Sequence, residues 1–240
     1  MLETFNNLTK LEKIIEKKSS YLVLVNNDLN LSLEVKDSLK LELVIINKAN
    51  ITGFINVDNN ANLEVVIIDF SSSDTNLKIT GQLLDFANAT YHLATRANLE
   101  KKVFDINLQA KGIKTNSLVK MNGVLLNKGQ LVFLGSTDIL KGAKKSKARQ
   151  EGRIANLSKD GQAQVSPSLN IYENDVNASH GAALGKVNDD VLFYLTSRGL
   201  TKIEATNLIT LGYLKPVISL IDDEKIRNSL LETLLKREGK

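Results

Sequence analysis

A chain of 240 residues with 42% hydrophobic and 24% charged residues and a formal net charge of +4 has the composition of an ordinary soluble domain with a substantial core, and its mild lysine excess does not call for nucleic acid. It contains no cysteine, which excludes a disulfide framework and any thiolate metal site built from this polypeptide alone. The first residues, MLETFNNLTKLEKIIEKK, lack the apolar core of a signal peptide, and no stretch approaches the roughly 20 apolar residues that cross a bilayer, so a cytoplasmic protein without a membrane partner is expected.

Near the start, Thr9-Lys10-Leu11-Glu12 has the spacing of a capping box and predicts a short helix over about Lys10 to Lys18, within an N-terminal helical segment 1–19. From Tyr21 the period becomes two. Leu29, Leu31, Leu33 and Val35 alternate with polar residues, and Leu39, Leu41, Leu43 and Ile45 do the same, the pattern of strands with one buried face. Further strands are predicted at YLVLV from 21, LELVII from 41, ITGFINV from 51, LEVVIID from 63, NLKIT from 76, VFDINLQ from 103 and QLVFL from 130, with no long helical pattern between them.

Ala-Asn recurs at 49–50, 61–62, 87–88, 97–98 and 155–156; the first two gaps, 12 and 26 residues, suit one and two units of a repeat turned by asparagine. Such a unit fits either a sandwich or a solenoid of stacked coils. Hairpin signals are limited to Asn122-Gly123 and Asp160-Gly161, and the only prolines are Pro167 and Pro216, as expected if most strands are internal and donate to both neighbours. Both observations favour the solenoid, over residues 20–187.

The period then becomes helical. Asn188, Asp189 and Asp190 supply a cap and negative charge for a helix carrying Val191, Leu192, Tyr194 and Leu195 and ending at Arg198-Gly199. Thr201-Lys202-Ile203-Glu204 is a second capping box, for a helix predicted to stop at Gly212. A third element begins near Tyr213 with Pro216 in its first turn, and Asp222 or Asp223 starts a last helix through LLETLLKR. Residues 188–240 thus form a helical subdomain.

The block from Gln150 onward carries Pro167, Leu169, Ile171, Asp175, Val176, Ser179, His180, Gly181, Ala182 and Gly185, then Phe193, Tyr194, Leu195, Ser197, Arg198, Gly199 and Ala205. In that order these residues resemble the end of the β-helix and the first C-terminal helices of the SufB/SufD family of iron-sulfur cluster assembly scaffolds. The resemblance implies a mainly β fold, a right-handed parallel β-helix with flanking helices. It also implies pairing with a SufB-like subunit and docking of a SufC-like ABC ATPase, with a homodimer as the alternative for the isolated chain.

The same resemblance implies that His180 is a cluster ligand or proton carrier at the partner interface, and that Pro167, Ser179, Gly181, Phe193, Tyr194, Arg198 and Gly199 serve partner binding. One imidazole cannot hold an iron-sulfur cluster, so no cofactor is held alone and any transient cluster is shared with the partner's ligands. The chain departs from SufD proteins at Ala178, where they often carry a cysteine two residues before the histidine; the lack of cysteine also argues against SufB-like status. It is short for the family, with the usual N-terminal helical region reduced.

Read without the family, His180 is a histidine satisfying turn or interface hydrogen bonds, and FYLTSRG is a helix that packs Phe193 and Tyr194 inward. The run from Lys141 to Arg149 is a solvated turn without the aromatic residues of a nucleic-acid site, and His92 is a strand residue. There is no P-loop, no G-x-G-x-x-G after a strand and no Ser-His-Asp order; a non-catalytic scaffold is what the family resemblance implies. Two other readings stay open: a β-helix enzyme acting on an anionic polysaccharide, and a purely structural solenoid.

Overall fold

The computed structural model describes residues 2–186 and 189–235. Fifteen strands are described: β1 (Leu2–Asn6), β2 (Lys10–Ile15), β3 (Ser19–Val25), β4 (Leu29–Val35), β5 (Ser38–Ile45), β6 (Ala49–Val57), β7 (Asn62–Asp69), β8 (Thr75–Leu83), β9 (Asn88–Ala97), β10 (Lys101–Ala110), β11 (Asn116–Leu125), β12 (Gln130–Ile139), β13 (Lys147–Asn156), β14 (Gln162–Ile171) and β15 (Asn177–Lys186). Helices α1 (Asp189–Ser197), α2 (Lys202–Ile218) and α3 (Glu224–Leu235) follow. Odd-numbered strands form an eight-stranded sheet and even-numbered strands a seven-stranded sheet. Every strand pairing is parallel, so the chain winds through one sheet, then the other, and climbs one strand per coil, a parallel β-helix with which the expected right-handed winding is consistent.

The alternation of apolar residues builds the interior. One inward row of the eight-stranded sheet runs Tyr21, Leu41, Val65, Tyr91, Val119, Gln150 and His180, each residue paired in register with the next, and all but His180 are buried. Where the sequence abandons alternation, as in LELVI of β5 and VVIID of β7, both faces are covered. Leu22, Val44, Val66, Ile68, Ala94 and Val124 on the outer face pack against Leu214, Val217, Ile218, Ile221 and Leu234 of the helical tail. Burial of each larger member of this second core contributes about 1.5–3 kcal/mol.

The coils widen along the chain. Lys10 of β2 lies beside Asn30, 20 residues on, whereas Gln130 of β12 lies beside Gln162, 32 residues on. Strands lengthen in step, from 5 residues in β1 to 10 in β15. The solenoid is a taper rather than a uniform stack, which is why the Ala-Asn spacing drifts. Ala61 and Ala87 are buried at two strand starts, and Asn62 stacks on Asn88 across coils, Nδ2 donating to Oδ1 at 3.1 Å.

Three expectations are corrected. The N-terminal segment is not helical: Lys10 to Ile15 is strand β2, with Leu11 and Ile15 buried, because pairing with β4 uses their two-residue period. Glu12 does not return to Thr9 as a cap but pairs with Lys10. Gly212 does not stop a helix, and Pro216 does not open one; α2 runs through both. Asn122-Gly123 lies inside β11 and forms no hairpin.

Other features stand as expected. The Thr201–Glu204 capping box is complete, Thr201 Oγ1 accepting from the Glu204 N–H at 3.2 Å and Glu204 Oε2 from the Thr201 N–H at 2.8 Å. Asp223 Oδ1 accepts from the Ile226 N–H at 2.9 Å at the start of α3. Asn188, the side chain of Asp189, and Lys236 and Arg237 lie outside the described residues.

Candidate functional site at the wide end of the solenoid

Strands β14 and β15 form the last coil. Among the described residues each has a strand neighbour on one side only, β12 and β13 respectively, so two edges of ten residues face outward without a strand to pair them. Pro167, which has no N–H, sits in this terminal strand opposite Gly135, as edge placement allows. The inward row of β14 (Ala163, Val165, Pro167, Leu169) is half-buried, and that of β15 continues from His180 to Ala182 and Leu184, both exposed. In earlier coils these rows are the core; here they form an apolar end face.

His180 stands in the middle of that face, directly over buried Gln150 in register. Its Nδ1 lies 3.2 Å from the carbonyl oxygen of Pro167 on the facing strand. A carbonyl only accepts, so this contact takes its proton from Nδ1, and in the neutral ring the Nε2 lone pair is then left for an incoming group. Beneath, Gln150 Nε2 donates to Thr137 Oγ1 at 2.7 Å, while its Oε1 has no partner among the described residues. Ser179 and Gly181 flank the histidine, exposed, and a Cβ at Gly181 would meet nothing within 4 Å. Between β13 and β15 a hollow of about 290 Å³ lies along this stretch; near it Glu151 pairs with Arg149 and lies 3.6 Å from Arg153.

The opposite, narrow end is closed differently. Lys13, in an inward position of β2, lays its ammonium over the rings of Phe5 (4.8 Å) and Tyr21 (4.6 Å) and pairs with Glu3 at 3.3 Å. That cation covers the interior where the wide end leaves it bare.

Helix α1 presents the second group of sequence candidates. Phe193 (74% exposed) and Tyr194 (57%) are not packed inward; they stand in solvent with Arg198 over the Tyr194 ring at 5.3 Å, and Gly199 takes φ +95° to end the helix. The reading of FYLTSRG as a core-facing helix is therefore overturned, since α2 and α3, not α1, supply the residues that cover the sheet. Leu192 of α1 lies with Arg96, Leu126 and Leu157, none of which lines the hollow beside His180. The basic run begins in the turn after β12 and ends within β13 at Lys147 and Arg149, with its lysines exposed.

Sequence reasoning gave no role to Ala182 and Leu184, whose membership of the end face follows from counting by twos from His180. It also passed over Lys120, which strand register sets between His92 and Glu151, and Arg153, two residues along β13 from Glu151. His92 is half-buried on the outer face of β9; burial, helped by Lys120, holds its imidazole below the usual range against the opposing pull of Glu64.

The family model described as the SUF system FeS cluster assembly, SufBD core domain, matches residues 46–213. The chain belongs to the SufB/SufD family. Two SufD relatives are the iron-sulfur cluster assembly protein SufD of Bacillus subtilis, 33% identical over 126 residues (52% of this chain, 29% of that protein), and SufD of Escherichia coli, 26% identical over 171 residues (65% and 40%). A SufBD family protein of Staphylococcus haemolyticus is 26% identical over 106 residues, 44% of this chain and 23% of that protein. The chain thus spans well under half the length of these SufB/SufD relatives.

For a SufB/SufD protein the relevant metal cargo is an iron-sulfur cluster, and the end face can be tested for its capacity to hold one. Among the described residues no three His, Cys, Asp or Glu side chains converge, and His180 is the one strong donor on the end face. Cluster irons are tied by several thiolates. Among the described residues no such set of ligands is brought together.

Proposed function

We propose that this chain acts as a SufD-like, non-catalytic scaffold subunit in iron-sulfur cluster assembly, pairing through its wide end with a SufB-like subunit and docking a SufC-like ATPase with its C-terminal helices. The single observation that carries this reading is the end face itself: two unpaired ten-residue edges flanking an exposed inward row with His180 at its centre. A strand from another solenoid laid on each edge would satisfy the backbone groups and bury the apolar row, as strand addition does generally. His180 would then sit within the joint, supplying one nitrogen ligand or moving one proton, with the remaining ligands from the partner. The exposed Phe193, Tyr194 and Arg198 suit a protein interface, whose anchors are commonly aromatic residues and arginine.

The test is co-expression with SufB-like and SufC-like subunits, followed by anaerobic cluster reconstitution of wild type and His180→Ala. A stable complex at micromolar concentration is expected, with cluster formation lost in the variant. Failure to assemble overturns the scaffold reading; an intact complex that builds clusters equally well without the imidazole overturns only the role of His180. A homodimer of the isolated chain that yields to the SufB-like subunit agrees with the pairing surface.

A further inference from the structure

A cleft of about 770 Å³ lies between the outer face of the eight-stranded sheet and the second half of α2, away from the end face. Its floor comes from β9, β11, β13 and β15 and its wall from Gly212 to Leu220. We propose that this cleft binds a small organic anion, whose carboxylate or phosphate group lies against Lys120 and Arg153.

Four observations converge on an occupant. Lys120 and Arg153 both line the cleft, and Lys120, half-buried on β11, reaches no acceptor among the described residues. Arg153 has a loose partner, Glu151 at 3.6 Å, which is already engaged by Arg149, so the guanidinium is open to a better anion. The third concerns glycine. Gly185 in β15 and Gly212 in α2 both line the cleft; neither has positive φ, and a Cβ on either would meet nothing within 4 Å. Neither backbone conformation nor packing requires glycine there, although glycine inside a helix or strand is less favourable than alanine. Such glycines are explained when something outside the fold approaches the backbone closely.

The fourth is Pro216, also on the wall. It has no N–H to give to the Gly212 carbonyl four residues earlier, so that carbonyl lacks its α-helical donor. The cleft therefore offers two cations for an acid group and, on the wall, an acceptor for a hydroxyl or amino group. Its volume is that of a small-molecule site, and Tyr213 adds an aromatic edge.

The experiment is an amide chemical-shift titration of the full chain with citrate and, separately, inorganic pyrophosphate, at constant ionic strength. Saturable shifts at Gly185, Gly212 and Asn122 are expected with at least one probe, with half-saturation at about 1 mM or below. Saturation by pyrophosphate alone assigns the phosphate class, by citrate alone the carboxylate class, and by both the shared chemistry. Lys120→Gln combined with Arg153→Gln is expected to weaken binding about tenfold or more. Gly212→Leu, which fills the cleft from an exposed helix position, is expected to abolish it with an unchanged or raised melting temperature. The proposal is overturned if neither anion saturates, if the double variant binds as wild type, or if the lysines of the turn after β12 respond equally.

Discussion

Lys102, at the start of β10, carries a charge that is fully buried. Its ammonium donates to Asp69 Oδ1 at 2.7 Å and to the Ser71 carbonyl at 2.8 Å, and both ionic side chains are fully buried. Burial pushes the Lys102 ammonium below its usual range even though Asp69 pulls the other way, so this pair fixes a corner of the coil more than it adds stability. Removing one partner is another matter, because the second charge stays behind. Asp69→Ala is expected to lower unfolding free energy by about 3–5 kcal/mol in urea titrations, and a loss below about 1 kcal/mol would contradict that account. Lys102 was legible in one sense: Phe104, Ile106 and Leu108 point inward, and stepping back by two reaches the lysine. Its partner was not legible, since Asp69 lies 33 positions earlier and is brought near only by the coil.

At the scale of elements, the helical tail is clamped to the early coils by a small polar network under the α2–α3 connection. Lys40 donates to Glu42, Asp222 and the Leu220 carbonyl at 3.1, 2.5 and 2.6 Å, and Glu42 accepts the Asp222 N–H at 2.8 Å. Burial opposes the charge on Lys40, yet hydrogen bonds to Asp222 and Glu42 hold its ammonium above the usual range; at Glu42 burial prevails and raises the carboxyl. Lys40→Ala strands a buried carboxylate, and a loss of about 1–3 kcal/mol is expected, with faster amide exchange confined to α2 and α3. Exchange rising equally through the solenoid would show that the clamp does not act on the tail.

Element type was readable wherever one period held for seven or more residues, as in β4. It failed at β2, where Leu11, Ile14 and Ile15 satisfy a helical spacing as well as a strand and only the neighbouring β4 decides. The turns were hidden for a different reason. One corner repeats with positive φ at Asn60, Phe86, Lys114 and Lys145, and each N–H is held by a carbonyl of the next coil, so long-range hydrogen bonds override the preference for asparagine or glycine. Of the candidate site, the histidine and its small neighbours could be read from the chain, but the open edges around them belong to topology.

For the whole molecule, the two ends of the solenoid are unlike: the narrow one has short strands under Lys13, and the wide one shows long bare edges and an exposed inward row. Docking should therefore be sensitive to charge only at the wide end. Ala182→Lys, at an exposed inward position, is expected to leave the melting temperature within about 2 °C while weakening association with a SufB-like subunit at least about tenfold by light scattering or calorimetry. Unaltered affinity would remove the end face as the joint.

The widening of the coils carries a further consequence. A solenoid of constant cross-section can stack head to tail without limit, as open-ended protein fibres do. Here a perimeter set by about 32 residues per turn cannot be continued by one set by about 20. A junction of unlike ends would have to bridge these two perimeters, whereas two wide mouths match each other in size without adjustment.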